Sequence, residues 1–261
     1  MAEKTPEEMA RKAVNKRVGD ALADIEIERR KLNAKIKKLE KREKKILSGE
    51  IVPDKKGKIE DDDDEDNDSS SIKVNFLLDE SSSMGSCIDQ TITGFNEYIK
   101  ALKKEKKNVK FTLTTFGGHN VNMIYKNKNI NDVKELSIEN YHPGGMTPLY
   151  DAIGGTIDGS RKDGKTLFVI MTDGEENASQ EYGLDAITKL IKGKEKVGWT
   201  FVYLGADQNA WQHSKTLGLT KMNTMSFDSK ETRGAYDKLI GASSLYMCSN
   251  KKVSKNFFGK K

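Results

Sequence analysis

The sequence predicts an α/β fold: a doubly wound, mostly parallel six-stranded sheet with one antiparallel edge strand, preceded by a charged N-terminal helix. Three observations carry this expectation. Residues 72–78 and 165–172 are mostly apolar runs, the pattern of strands buried on both faces of a parallel sheet. Strand-like and helix-like stretches then alternate through 72–250, as crossovers between parallel strands require. One tight turn, Gly117-Gly118-His119-Asn120, joins two strand runs directly, which puts a hairpin at one edge.

Residues 1–50 are read as a charged helix and candidate coiled coil. Thr5 caps it, Pro6 takes the first position, and Glu7 and Glu8 stand in the first turn. Over 6–47 the only glycine is Gly19, and helix formers dominate. Val18, Ile25, Leu32, Leu39 and Ile46 recur at heptad spacing. The companion stripe is Leu22, Arg29, Ile36 and Glu43, half of it polar, so the pattern is short and imperfect. Such a segment is expected to dock onto a partner helix or multimerise within an assembly. Residues 51–71 follow as an acidic, disordered linker, because the run 60–68 has no apolar surface to bury.

The main domain is expected over 72–250. Ile88, Ile92, Phe95, Tyr98, Ile99 and Leu102 give a helix over 87–103. Further strands are expected at 109–116, 121–125, 199–204 and 222–227. Helices are expected at 149–157, 184–191, 209–217 and 230–247. Gly154-Gly155 inside 149–157 reads as a close packing contact. The tail, 251–261, is basic and expected to fray, with Phe257-Phe258 as its only anchor.

Charge comes in blocks. The chain carries +5 overall, composed of +7 over 1–58, −8 over 59–71 and +6 beyond. A modestly basic domain is poor evidence for nucleic acid, and the basic stretches 29–45 and 251–261 lack interleaved aromatics for base stacking. No apolar run is long enough to span a bilayer, so no membrane partner is expected. No apolar segment follows Met1 as a leader would require. Cys87 and Cys248 are too few for a disulfide framework. A reduced, cytoplasmic protein fits.

The candidate site begins where the first strand stops. Asp79, Ser81 and Ser83 stand at alternate positions just past its carboxyl end, where ligands bind in open α/β sheets. Gly144-Gly145 leads to Met146-Thr147-Pro148, which sets Thr147 at a helix start, and the run 165–172 ends in Asp173-Gly174. A carboxylate with hydroxyls offers hard oxygen ligands, which suit Mg²⁺ or Mn²⁺ and not zinc or copper. Read singly, the serines are helix caps; the three segments together outweigh that.

Asp79-x-Ser81-x-Ser83, then Thr147, then Asp173 resembles the metal-ion-dependent adhesion site of the von Willebrand factor A domain, with all five positions present. The resemblance covers about 72–250. Residues 172–177 (TDGEEN) and 204–210 (LGADQNA) look like the bacterial and phage intracellular type, which implies the cytoplasm, a host cytoplasm or a virion. Ser82 stands where many members carry glycine, which leaves the ligands intact. The resemblance implies that Ser81, Ser83 and Thr147 contact Mg²⁺ or Mn²⁺ directly, while Asp79 and Asp173 hold coordinated waters or bind in turn. Another protein presenting an Asp or Glu would fill the open position, so the chain is expected to act as an adaptor or assembly module, not an enzyme. Metal-assisted hydrolysis is the alternative, with Glu80, Glu175, Glu176 or Asp207 as base; each reads more simply as a loop carboxylate or cap. A structural or host-interaction protein of a phage, touching nucleic acid through basic segments, is a further alternative.

Overall fold

The computed structural model describes residues 71–160, 164–206, 210–228, 233–249 and 254–259, together with Arg29, Asn33 and Ile36. The chain divides into two compact units, Met1–Asp68 and Ser69–Lys261. In the first, Arg29, Asn33 and Ile36 are helical. The remaining expectations for 1–50, and those for 51–70, lie outside the described residues.

In the second unit the elements run β1 (Ile72–Asp79), a 3₁₀ turn (Ser82–Cys87), α1 (Ile88–Lys104), β2 (Val109–Gly117), β3 (Asn120–Asn129), α2 (Leu149–Gly159), β4 (Thr166–Thr172), α3 (Leu184–Lys196), β5 (Trp199–Ala206), α4 (Ala210–Thr216), β6 (Thr224–Phe227) and α5 (Arg233–Cys248). The sheet order is β3-β2-β1-β4-β5-β6. All neighbours pair parallel except β2 with β3. The expected six-stranded, doubly wound sheet with one antiparallel edge is therefore what forms.

The chain leaves β1 for β2 on one side and later places β4 on the other. The cleft between β1 and β4 is thus the topological switch point. Two apolar layers flank the sheet. One sets Val74, Phe76 and Leu78 against Phe95 and Tyr98 of α1 and Tyr236 of α5. The other sets Leu77, Phe168 and Ile170 against Ile153 of α2 and Ile187 of α3. Phe76 is fully buried, with ring centroids of Phe95 and Tyr98 at 5.5 and 5.6 Å. Burying such a ring contributes about 1.5–3 kcal/mol. Gly154 does make a close contact: a Cβ there would stand 2.5 Å from the Tyr182 ring.

Several boundaries shift by a few residues, the helix from Leu184 running on to Lys196; two differences have clear physical reasons. β3 runs on to Asn129 because an edge strand needs only one buried face, and its exposure alternates along its length, so polar residues hide it. The tail does not fray over 254–259. Asn223 accepts a hydrogen bond from the Phe257 amide (2.9 Å) and donates to the Ser254 carbonyl (2.8 Å), while Phe257 is buried against Tyr246. One buried amide side chain does what the tail's composition does not announce.

Candidate metal centre

All five expected residues converge at the carboxyl end of β1 and β4. Asp79 is the last residue of β1 and fully buried. Its carboxylate accepts the Ser81 amide at 2.7 Å and the Thr172 hydroxyl. The Ser81 and Ser83 hydroxyls lie 3.1 Å apart, and Ser83 donates to Asp173 at 2.6 Å. Thr147 is buried just before α2. It joins the group at Gly174, where a Cβ would stand 2.9 Å from the Thr147 hydroxyl and 3.5 Å from that of Ser83. Any larger residue at 174 would fill the space the hydroxyls surround.

Backbone contacts hold the loops in place. The Tyr141 hydroxyl donates to the Asp79 carbonyl at 2.6 Å. Ser82 donates to the Gly145 carbonyl and Gly144 to that of Glu80, at 3.0 and 2.9 Å. Gly118 donates to the Met146 carbonyl at 2.7 Å. Such approach needs glycine: Gly145 has φ +75, and a Cβ there would meet Gly118 Cα at 2.5 Å. The Thr147 amide donates to Asn177 Oδ1 at 2.7 Å, which ties the α2 entry to the loop after β4.

Burial pushes the Asp79 carboxyl up to about 6, against the lowering effect of the Thr172 and Ser81 hydrogen bonds. Among the described residues no Lys, Arg or His pairs with Asp79. A buried carboxylate without a cation is costly, and a bound metal ion would supply that charge. Two carboxylates and three hydroxyls are all hard oxygen donors, so the residues fit Mg²⁺ or Mn²⁺. Among the described residues no group of three or more His, Cys, Asp or Glu side chains forms a metal cluster; the donors here are mostly hydroxyls.

The carboxylates weighed as catalytic bases are engaged elsewhere. Glu80 accepts the His142 amide. Glu176 accepts the Tyr150, Ala178 and Ser179 amides. Glu175 lies 3.4 Å from His213, and Asp207 lies outside the described residues. Two supporting residues escape a sequence reading. Thr172 stands beside Asp79 only through the β1–β4 register, in which Leu78 pairs with Met171. Asn177, the last residue of the run 172–177, carries no sign in the sequence that it holds the Thr147 amide.

Among curated proteins none matches the sequence. Solved structures with a similar fold include proximal thread matrix protein 1 from the mussel byssus, at 15% identity and TM-score 0.49, covering 65% of this chain and 47% of that one. This chain thus spans about half the length of that protein. The manganese-loaded Plasmodium vivax TRAP protein is similar at 18% identity and TM-score 0.46, over 66% and 74% of the two chains. A von Willebrand factor type A protein from Catenulispora acidiphila is similar at 12% identity and TM-score 0.48, over 67% and 43%. The family model of the von Willebrand factor type A domain matches residues 74–239, more than half of the chain and all of the sheet but the first two residues of β1. The protein belongs to the von Willebrand factor type A domain family.

Proposed function

We propose that this chain is a metal-dependent protein-binding module whose site captures a carboxylate of a partner protein, without catalysis. Domains of this family are commonly protein-interaction modules and often bind a divalent metal. The observation that carries the reading is the continuous run of contacts from Asp79 through Ser81 and Ser83 to Asp173, closed on Thr147 around Gly174. Ser81, Ser83 and Thr147 are the residues that would hold Mg²⁺ or Mn²⁺ directly, with Asp79 and Asp173 holding its waters or binding in turn. A divalent cation held largely by neutral hydroxyls retains enough positive charge to attract an external carboxylate.

The residues divide the work. Asp79 supplies a desolvated negative charge, and Thr172 and the Ser81 amide fix its orientation. Asn177 and Tyr141 keep the Thr147 and Asp79 backbones in place. The engagement of Glu80, Glu175 and Glu176 in loop contacts supports binding over hydrolysis.

Titration calorimetry with Mn²⁺ and Mg²⁺ tests the site. The wild type should bind one ion, and Asp79→Ala and Thr147→Ala should lose at least tenfold in affinity. Both variants binding Mn²⁺ as tightly as the wild type would refute the assignment. Pull-down with and without Mg²⁺, using wild type and Asp79→Ala, then separates metal-dependent partners from the rest.

A further inference from the structure

The end of the sheet opposite the metal centre has its own chemistry. The pairing register brings lysines from distant parts of the sequence to one row. Lys73 pairs with Lys110 on one side and with Thr166, the neighbour of Lys165, on the other; Lys110 in turn pairs with Asn129, next to Lys128. Neighbouring strands lie about 4.8 Å apart. Beyond this row, Lys104, Lys106, Lys107, Lys192, Lys196 and Lys255 are exposed; of the acids near them, Glu105 and Glu195 are half-buried and Asp132, just past the end of β3, is exposed. Burial, and to a smaller degree Lys107, disfavours the charge of half-buried Lys165, and burial raises the Glu195 carboxyl against the lowering field of Lys255 and Lys192.

Apolar side chains are interleaved with these lysines. Among its described residues the second unit leaves six large apolar side chains exposed, and three of them are here: Val197, Met222 and Leu245. Val197 follows Lys196. Met222 follows Lys221, and its carbonyl accepts the Phe258 amide at 2.9 Å. Leu245 precedes Tyr246, whose carbonyl accepts the Lys165 ammonium at 2.6 Å.

We propose that this amino pole attaches the domain to an anionic lipid surface. Lysines near such a surface each add to binding through the negative potential of the leaflet. Apolar side chains among them enter the headgroup boundary, a use that a nucleic-acid backbone does not offer. Exposed aromatic side chains for base stacking are missing from this end among the described residues. No described helix is long and apolar enough to cross a membrane, so the attachment is peripheral. The strands would then stand with their carboxyl ends, and the metal centre, facing away from the lipid. This inference does not depend on the metal reading.

The test is cosedimentation of the full chain with phosphatidylcholine vesicles, with and without phosphatidylserine as the anionic lipid. The wild type should bind only the anionic vesicles. Joint replacement Lys104→Gln, Lys107→Gln, Lys196→Gln and Lys255→Gln should weaken binding at least tenfold. Met222→Ser with Leu245→Ser should weaken it severalfold at unchanged charge. Circular dichroism and melting establish that both variants fold. The idea fails if the lysine variant binds vesicles like the wild type, or if neutral vesicles bind equally well. It also fails if a 20-base-pair duplex (about two turns of B-DNA) is bound more tightly than vesicles and the apolar variant leaves vesicle binding unchanged.

Discussion

The same strands end in two different chemistries. At their carboxyl ends the loops 79–87, 117–120, 142–148 and 173–183 contain Asp79, Glu80, Asp173, Glu175, Glu176 and Glu181, and neither lysine nor arginine. These loops are short in side chains and rich in backbone contacts, with glycines where two chains touch. At the amino ends, long lysine side chains surround the strand starts, and the polar hydrogen bonds reach helix ends instead. Lys165 donates to the Tyr246 and Ser249 carbonyls at 2.6 Å each, satisfying the unpaired end of α5. One end is built to hold groups rigidly within hydrogen-bonding reach. The other spreads charge over an area. The parallel sheet makes this division natural, since every β-to-α connection leaves from one end.

The comparison can be broken at its centre, and that is the largest expected effect. Phe76→Ala removes a ring from the middle of β1, which both ends share. It should cost about 3–5 kcal/mol, read from denaturant unfolding. Metal binding should fall as the folded fraction falls; a loss under about 1 kcal/mol would mean that the layer over α1 repacks around the gap.

A change confined to the carboxyl end should come next. The Asp79 carboxyl is held near 6 against an ordinary value of 3.8. Below 3.8 it is neutral in folded and unfolded chains alike, and its neutral form favours the fold. That contribution is lost as pH rises through about 6, because the unfolded chain gives up its proton first. The metal-free protein should therefore lose up to about 3 kcal/mol between pH 4 and 7 from this group. Asp79→Asn should flatten that dependence in melting experiments without metal. An unchanged pH profile would show that Asp79 is not the group responsible.

The smallest effect is expected at the amino end. Lys107→Gln removes a charge that opposes that of Lys165. Between an exposed lysine and a half-buried one, the gain should be below about 0.5 kcal/mol, and it should shrink in high salt. A loss of stability on melting would mean that Lys107 makes a favourable contact of its own.

What was readable in the sequence follows the same division. β1 and β4 announce themselves because a strand covered on both faces must be apolar throughout. Asp79, Ser81, Ser83, Thr147 and Asp173 were readable because they end such runs or begin a helix. Thr172 was not, since its role depends on lying opposite Asp79 in a pairing of strands distant in sequence. The gathering of lysines at the amino end was hidden for the same reason: Lys73, Lys110, Lys128 and Lys165 become neighbours only through strand order. β3 was underestimated because alternating exposure dilutes its apolar content. The anchoring of Phe257 depends on Asn223, a residue whose type carries no signal of burial.

The bond between Thr172 and Asp79 joins residues 93 positions apart, and this sets a timetable for the protein's birth. A ribosome adding about 5–20 residues per second needs roughly 5 to 20 s between the two. Throughout that interval Asp79, Ser81 and Ser83 exist without β4 beside them, and no ion can be held as the finished site would hold it. If the site holds a cation as proposed, sensitivity to metal would begin late in synthesis, after β1, α1 and the hairpin have left the ribosome. A pause or truncation before residue 173 would leave a chain with most of the motif and none of its geometry.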